Sequence, residues 1–99
     1  MHLIESNMDK IIALCKRYKV AKLWVFGSIL TPRFNDQSDV DFSVVFQYDQ
    51  VDDLFVVFFD FLEELRQLLK RPVDLVDETA VKNPYFRREL NRTKRLIYG

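Results

Sequence analysis

Residues 1–99 are predicted to form one domain of the α/β (α+β) class, a small mixed β-sheet flanked by helices. Two observations lead to this fold class. Apolar residues make up 48% of the chain, and only two glycines and three prolines interrupt it. Short runs of strand-forming residues also alternate with longer amphipathic segments. The predicted order is helix, strand, loop, strand, helix, strand, helix and a closing strand.

The first predicted helix begins at a cap on Ser6 or Asn7 and continues to about Tyr18. Apolar residues recur in it at helical spacing: Met8, Ile11, Ile12 and Cys15. Cys15, the single cysteine, is therefore expected in the core rather than as a reactive thiol, and it cannot form an internal disulfide. The one histidine is His2, at an N-terminus expected to be mobile, so the chain offers no zinc ligand set. Any metal must use oxygen ligands.

Two strands follow, separated by a polar loop. Residues 23–26 are an apolar run that ends at Gly27, which is typical of a buried strand. Residues 40–46 alternate in polarity as a second strand, with Asp39 immediately before it. Because residues two apart on a strand share a face, Asp39 and Asp41 present two carboxylates side by side. Such a pair suits Mg²⁺, although alone the pattern is common at solvated strand ends.

Residues 51–70 combine strand propensity with helical periodicity, and the periodicity predicts a helix that ends before Pro72. One apolar stripe is assigned to its core face: Leu54, Phe58, Phe61, Leu62, Leu65, Leu68 and Leu69. Phe55, Val56 and Phe59 lie outside this stripe, and Val56 and Phe59 are expected to be exposed among acidic side chains. This indicates an interface with a partner or a second copy, unless sheet twist and the last helix cover these residues.

Asp74 lies in a third predicted strand, residues 73–76. A carboxylate facing a core there needs a counter-charge or an ion, whereas an outward-facing one is simply solvated. If this strand neighbours the second, Asp74 completes a set of three carboxylates with Asp39 and Asp41. Three carboxylates can bind two metal ions.

The chain is predicted to end with a basic helix from Asn83 and Pro84 to about Arg92, then a strand over 94–98. The net charge is zero, but residues 82–99 hold six bases and a single acid. This segment is either a solvated helix face or a contact with phosphates or an acidic partner. No apolar stretch approaches the roughly 20 residues that span a bilayer, and the N-terminus lacks the apolar core of a signal peptide. We therefore expect a cytoplasmic protein.

Gly27 and Ser28 stand at a junction between a strand and a short helical turn. Glycine permits close approach of a phosphate, and the free N–H groups of the turn and the Ser28 hydroxyl can donate hydrogen bonds to it. The pair is uninformative alone, but it precedes Asp39 by eleven residues on an adjoining strand.

In combination these residues resemble a known family. Three segments are similar to the signature of the minimal nucleotidyltransferases (MNT), a branch of the DNA polymerase β-like superfamily: Phe26-Gly27-Ser28, Ser38-Asp39-Val40-Asp41-Phe42 and Val73-Asp74-Leu75. The resemblance covers roughly residues 22–98. It implies that Gly27 and Ser28 bind the triphosphate of ATP or another nucleotide, and that Asp39 and Asp41 bind both of two Mg²⁺ ions. Asp74 is implied as the third ligand and a candidate base.

The resemblance also implies a biological setting. Members of this size are often antitoxins encoded beside a HEPN-type ribonuclease toxin, and some transfer AMP from ATP to a tyrosine of that toxin. Many members continue the Gly-Ser pair with a basic turn that this chain lacks, and Arg33 is the candidate replacement for its cation.

Three readings of function remain open from the sequence: a protein-modifying enzyme, an antitoxin that neutralises its toxin by binding alone, and a small-molecule nucleotidyltransferase. We expect a homo- or hetero-oligomer, with neither a membrane nor a nucleic acid as direct partner.

Overall fold

The computed structural model describes all residues 1–99 and contains four helices and four strands. The helices are α1 (His2–Ser6), α2 (Met8–Arg17), α3 (Leu54–Leu69) and α4 (Pro84–Thr93). The strands are β1 (Val20–Phe26), β2 (Val40–Phe46), β3 (Val73–Asp77) and β4 (Arg95–Tyr98). Short 3₁₀ turns lie at Gly27–Leu30, Tyr48–Gln50 and Glu78–Ala80. The predicted element order is confirmed, with α1 in addition.

The strands form one mixed sheet in the order β3-β2-β1-β4. β1 pairs antiparallel with β2 and β4, whereas β2 and β3 are parallel. A parallel pair needs a crossover connection, which α3 supplies. The predicted α/β fold with a mixed sheet is therefore confirmed.

The core lies where α2 and α3 pack on one face of the sheet. The alternating β2 residues Val40, Phe42 and Val44 are fully buried there, as their spacing predicts. Cys15 is also fully buried, and burial raises the pKa of its thiol to about 12. The thiol is therefore neutral at physiological pH, and the prediction of a core cysteine is confirmed.

Both ends of α3 and the start of α4 follow local sequence signals. The Asp53 side chain caps the N-terminus of α3, and Lys70 ends this helix in a left-handed conformation with φ of 56°. Asn83 caps α4, with Pro84 in its first turn. No helix is long and apolar enough to cross a membrane. The cytoplasmic location stays a prediction.

Three local predictions are wrong. The N-terminal residues expected to be mobile form α1, whose Ile4 is fully buried in the core. The Asn7 side chain does not cap α2 but donates to the backbone carbonyl of Leu3 at 2.9 Å, since α1 places that acceptor nearby. Leu54, assigned to the core stripe, is 39% exposed because it stands at the very start of α3.

A buried polar cluster ties the turn after β3 to the last helix and strand. Ser43 is fully buried and donates to Oε2 of Glu78 at 2.6 Å, while the Lys94 ammonium forms an ion pair with Oε1 of the same carboxylate. Lys94 Nζ also lies 4.0 Å from the ring centroid of Trp24. Arg87 donates to the backbone carbonyl of Glu78 at 2.7 Å. Glu78 is thus the centre of a cluster that connects three elements.

Candidate active site

Two carboxylates meet at the β2–β3 side of the sheet. Asp41 on β2 and Asp74 on β3 are direct partners in the parallel register. Paired residues on neighbouring strands project from the same face, so the side chains lie next to each other. Their carboxyl groups are close enough to share a hydrogen bond when one of them is protonated. The predicted neighbourhood of the second and third strands is therefore confirmed.

The pKa of Asp41 is raised from its ordinary value of 3.8 to about 6. Burial is the largest cause, followed by the negative charges of Asp74 and Asp39 and by the hydrogen bond with Asp74. All of these causes penalise the ionised form of Asp41. A bound cation would offset the penalty, and carboxylate oxygens are the ligands that hard divalent cations prefer. The chemistry of these donors therefore suits a divalent metal ion.

Asp39 and Asp74 are both exposed, so Asp74 is not the core-facing carboxylate that the sequence left open. No group of three or more His, Cys, Asp or Glu side chains converges closely enough to hold a metal ion. Asp39 is near enough to Asp41 for its negative charge to raise the pKa of Asp41, but it does not complete a three-carboxylate group. The metal site of three carboxylates stays a prediction.

The glycine turn lies directly against this pair. Gly27 begins the 3₁₀ turn after β1 with φ of 80°, a conformation that other residues rarely adopt. A Cβ atom placed on Gly27 would lie 2.3 Å from Oδ2 of Asp41. The preceding residue, Phe26, pairs with Asp41 across β1 and β2. The structure thus brings Gly27 against Asp41, which pairs with Asp74. The binding roles of these residues and of Ser28 stay predictions.

Arg33, the predicted replacement cation, is exposed and has no carboxylate within 4.0 Å. Its role in nucleotide binding stays a prediction. Sequence reasoning missed Arg71, whose Nη1 donates to the backbone carbonyls of Asn35 and Ser38, each at 3.2 Å. The Arg71 guanidinium also lies 4.8 Å from the ring centroid of Phe34. Arg71 thus holds the loop that leads into Asp39. Its position directly before the strand of Asp74 is the sequence feature that could have indicated this role.

An open cavity of about 490 Å³ contains the carboxylate pair. Asp41 and Asp74 line one part of it, and α3 contributes apolar side chains that include Phe59. Arg66 on α3 also lines the cavity and donates to the backbone carbonyl of Val73 at 3.4 Å. The cavity therefore combines an anionic centre with an aromatic wall and one arginine.

A second cavity, of about 410 Å³, lies against the glycine turn. Gly27 and Thr31 line it from the turn, Glu89 and Thr93 from α4, and Arg95 from β4. Part of the basic C-terminal segment therefore lies beside the turn, although Arg95 itself is exposed. Arg95 is a second site residue that sequence reasoning did not single out.

A glycine turn that faces two carboxylates on neighbouring strands of a small mixed sheet is the arrangement of a nucleotidyltransferase domain. The chain belongs to the polymerase beta nucleotidyltransferase family, whose family model matches residues 9–99. The resemblance inferred from the three short segments is confirmed.

Known proteins similar to this chain include a Methanocaldococcus jannaschii protein named "Putative protein adenylyltransferase MJ0128". It is 36% identical over 85 residues, which are 86% of this chain and 82% of that protein. A toxin–antitoxin crystal structure with AMP-PNP superposes with a TM-score of 0.74 at 24% identity, covering 94% of this chain and 73% of the other. A complex of tri-AMPylated Shewanella oneidensis HEPN toxin with MNT antitoxin superposes with a TM-score of 0.68 at 23% identity, covering 96% and 71%. At such identities these two structures support the fold alone.

Proposed function

We propose that this chain is a metal-dependent nucleotidyltransferase that moves AMP from Mg-ATP to a hydroxyl group of a partner protein. In the cell it would act as the antitoxin of a HEPN/MNT pair. The observation that carries the proposal is the direct pairing of Asp41 with Asp74 beside the Gly27 turn. The name of the archaeal relative and the AMPylated toxin of the structural neighbour agree with it.

Asp39, Asp41 and Asp74 would hold Mg²⁺, with two ions when nucleotide is present. Bound metal supplies positive charge that stabilises the reacting phosphate and activates the attacking oxygen. Asp74, which is exposed, would accept the proton of the incoming hydroxyl. The new bond joins the acceptor oxygen to the α-phosphorus of ATP. The bond from that phosphorus to the β-phosphate oxygen breaks, and pyrophosphate leaves.

The triphosphate would lie along the glycine turn. The Asp41 carboxylate lies where a side chain at position 27 would begin, so glycine is required there. A phosphate would lie at the backbone N–H groups of the turn, and Ser28 would offer a hydroxyl donor. Arg95 lines the cavity that adjoins this turn, together with Thr31 and Thr93. Arg33 and Arg95, both exposed, are the two candidates for the positive charge that many relatives carry in a basic turn.

The second candidate function is an antitoxin that neutralises its toxin by binding alone. Two observations favour it: the three carboxylates are not grouped closely enough to hold a metal ion, and the basic turn after Ser28 is missing.

Intact-mass analysis of a HEPN-type partner distinguishes the two functions. After incubation with this chain and Mg-ATP, we expect the partner to gain the mass of one or more AMP groups, attached to a hydroxyl side chain. EDTA should prevent the gain, because the carboxylates cannot bind the triphosphate without a cation. A partner that is neutralised in a stable complex but gains no mass would contradict the enzymatic proposal.

Replacing Gly27 by valine should weaken nucleotide binding more than replacing Ser28 by alanine. Valine would place Cβ 2.3 Å from Oδ2 of Asp41 in an unfavourable backbone conformation, whereas Ser28→Ala removes one neutral donor worth about 1 kcal/mol. Calorimetric titration with a nonhydrolysable ATP analogue and Mg²⁺ measures both, with circular dichroism as the control for folding. Unchanged affinity in a folded Gly27→Val protein would place the triphosphate elsewhere.

A further inference from the structure

The outer side of α3 carries an exposed apolar surface, here called the α3 patch, formed by Phe55, Val56 and Phe59. These side chains are 71%, 49% and 49% exposed. The rings of Phe55 and Phe59 lie 4.7 Å apart between centroids, so they form one continuous surface. The exposure predicted for Val56 and Phe59 is confirmed, and the alternative that other elements cover them is wrong. Aromatic surface of this kind is typical of an interaction site.

The rim of the α3 patch is acidic. Asp52 precedes Val56 by four residues and Asp60 stands beside Phe59, and both are exposed. Glu63 follows Phe59 by four residues and pairs with Arg66 at 4.0 Å. Two copies of the chain packed through this patch would bring like charges together, which disfavours a symmetric dimer. A partner with lysine or arginine around an apolar centre is complementary to it.

The α3 patch is continuous with the candidate active site. Phe59 belongs to the patch and also lines the cavity that contains Asp41 and Asp74. α3 packs on the sheet face opposite to these carboxylates, and the cavity joins the two faces around the edge strand β3. A polypeptide bound on the patch would therefore reach the carboxylates around that edge. The patch and the carboxylates are suited to one and the same partner.

We propose that the α3 patch is the docking surface for the acceptor protein, which contributes an apolar segment flanked by basic residues. Docking there places a hydroxyl side chain of the segment in the cavity at Asp41 and Asp74. The inference rests on the proposed function for the nature of the acceptor, but docking itself requires no transfer.

The test compares Phe59→Asp with Leu96→Asp. Leu96 is 50% exposed, like Phe59, but lies on β4 at the opposite edge of the sheet. Calorimetric titration with a HEPN-type toxin, without nucleotide, should show affinity about tenfold weaker or worse for Phe59→Asp, because it places a charge in a desolvated contact. Leu96→Asp should bind as the unsubstituted chain does. Equal affinities for the two variants would overturn the proposal, as would an unsubstituted chain that binds no HEPN-type toxin.

Asp60→Lys tests the same surface without removing apolar packing, in case Phe59→Asp does not fold. It reverses one charge of the acidic rim and should weaken toxin binding, with a stronger effect at low salt. Its affinity for Mg²⁺ and an ATP analogue should not change. Toxin binding that Asp60→Lys leaves unchanged would contradict a basic partner. If the variants impair toxin binding but the unsubstituted chain transfers no AMP, the docking proposal is supported and the enzymatic proposal fails. If Phe59→Asp transfers AMP as fast as the unsubstituted chain, the enzymatic proposal is supported and the docking proposal fails.

Discussion

Replacing Asp41 by asparagine is expected to lower the rate of AMP transfer by about a hundredfold to a thousandfold. Asp41 is the central carboxylate, paired with Asp74 and close enough to Asp39 for their charges to interact. Asparagine keeps the shape of the side chain but removes the negative charge that a cation requires. The rate of mass gain on the partner measures the effect, and Asp9→Asn on the exposed face of α2 is the control for loss of one charge.

The same variant separates catalysis from binding. Because Asp41 lies inside the cavity rather than on the α3 patch, Asp41→Asn should still form the complex with the toxin. If the antitoxin acts as an enzyme, Asp41→Asn would bind the toxin without transferring AMP to it, and it would neutralise the toxin less well. A variant that neutralises as well as the unsubstituted chain would assign neutralisation to binding alone.

Replacing Glu78 by alanine is expected to destabilise the fold by about 3–5 kcal/mol. Both partners of its carboxylate are buried or nearly so: Ser43 loses its acceptor, and Lys94 keeps its charge without a counter-charge. A domain of this size has a net stability of about 5–15 kcal/mol, so the variant would lose a large part of it. Urea denaturation measures the change in the free energy of unfolding.

Glu89→Ala is the matched control for Glu78→Ala. Glu89 also pairs with a basic side chain, Arg92, but both side chains of that pair are mainly exposed to solvent. Solvent screening makes such pairs weak, so little change in stability is expected. A Glu78→Ala protein as stable as Glu89→Ala would mean that the buried cluster does not stabilise the fold.

The sequence predicts most elements because each of them carries a local signal. The alternation in residues 40–46 and the stripe along α3 follow from one face being buried, so periodicity suffices to find them. The capping side chain of Asn83 and the Pro84 that follows likewise define the start of α4. The sequence did not predict α1, because its five residues are too few to show helical periodicity.

Long-range pairing has no such local signal. Asp41 and Asp74 are direct partners because β2 and β3 are parallel and in this register. The residue pattern alone does not show that these two strands are neighbours. The bonds of the Glu78 carboxylate to Ser43 and Lys94 and the loop contacts of Arg71 join residues 16 to 36 positions apart, so nothing in their immediate surroundings reveals them. The resemblance to a family was informative because a family with these three motifs places them close together in its fold.

The raised pKa of Asp41 has a consequence for the stability of the metal-free protein. Between pH 3.8 and about 6 the folded state binds more protons at Asp41 than the unfolded state does. Stability therefore falls as pH rises through this window, and at pH 7 the ionised Asp41 destabilises the metal-free fold. Asparagine at this position carries no such charge.

Thermal unfolding of the unsubstituted chain and Asp41→Asn at pH 7 tests most directly whether these carboxylates hold a metal–nucleotide complex. In EDTA, Asp41→Asn should have the higher Tm, because it lacks the crowded negative charge. With excess Mg²⁺ and a nonhydrolysable ATP analogue the order should reverse, because a ligand stabilises only the protein that binds it. Equal gains in Tm for both proteins on adding the Mg²⁺ complex would contradict the assignment of Asp41 to the metal site.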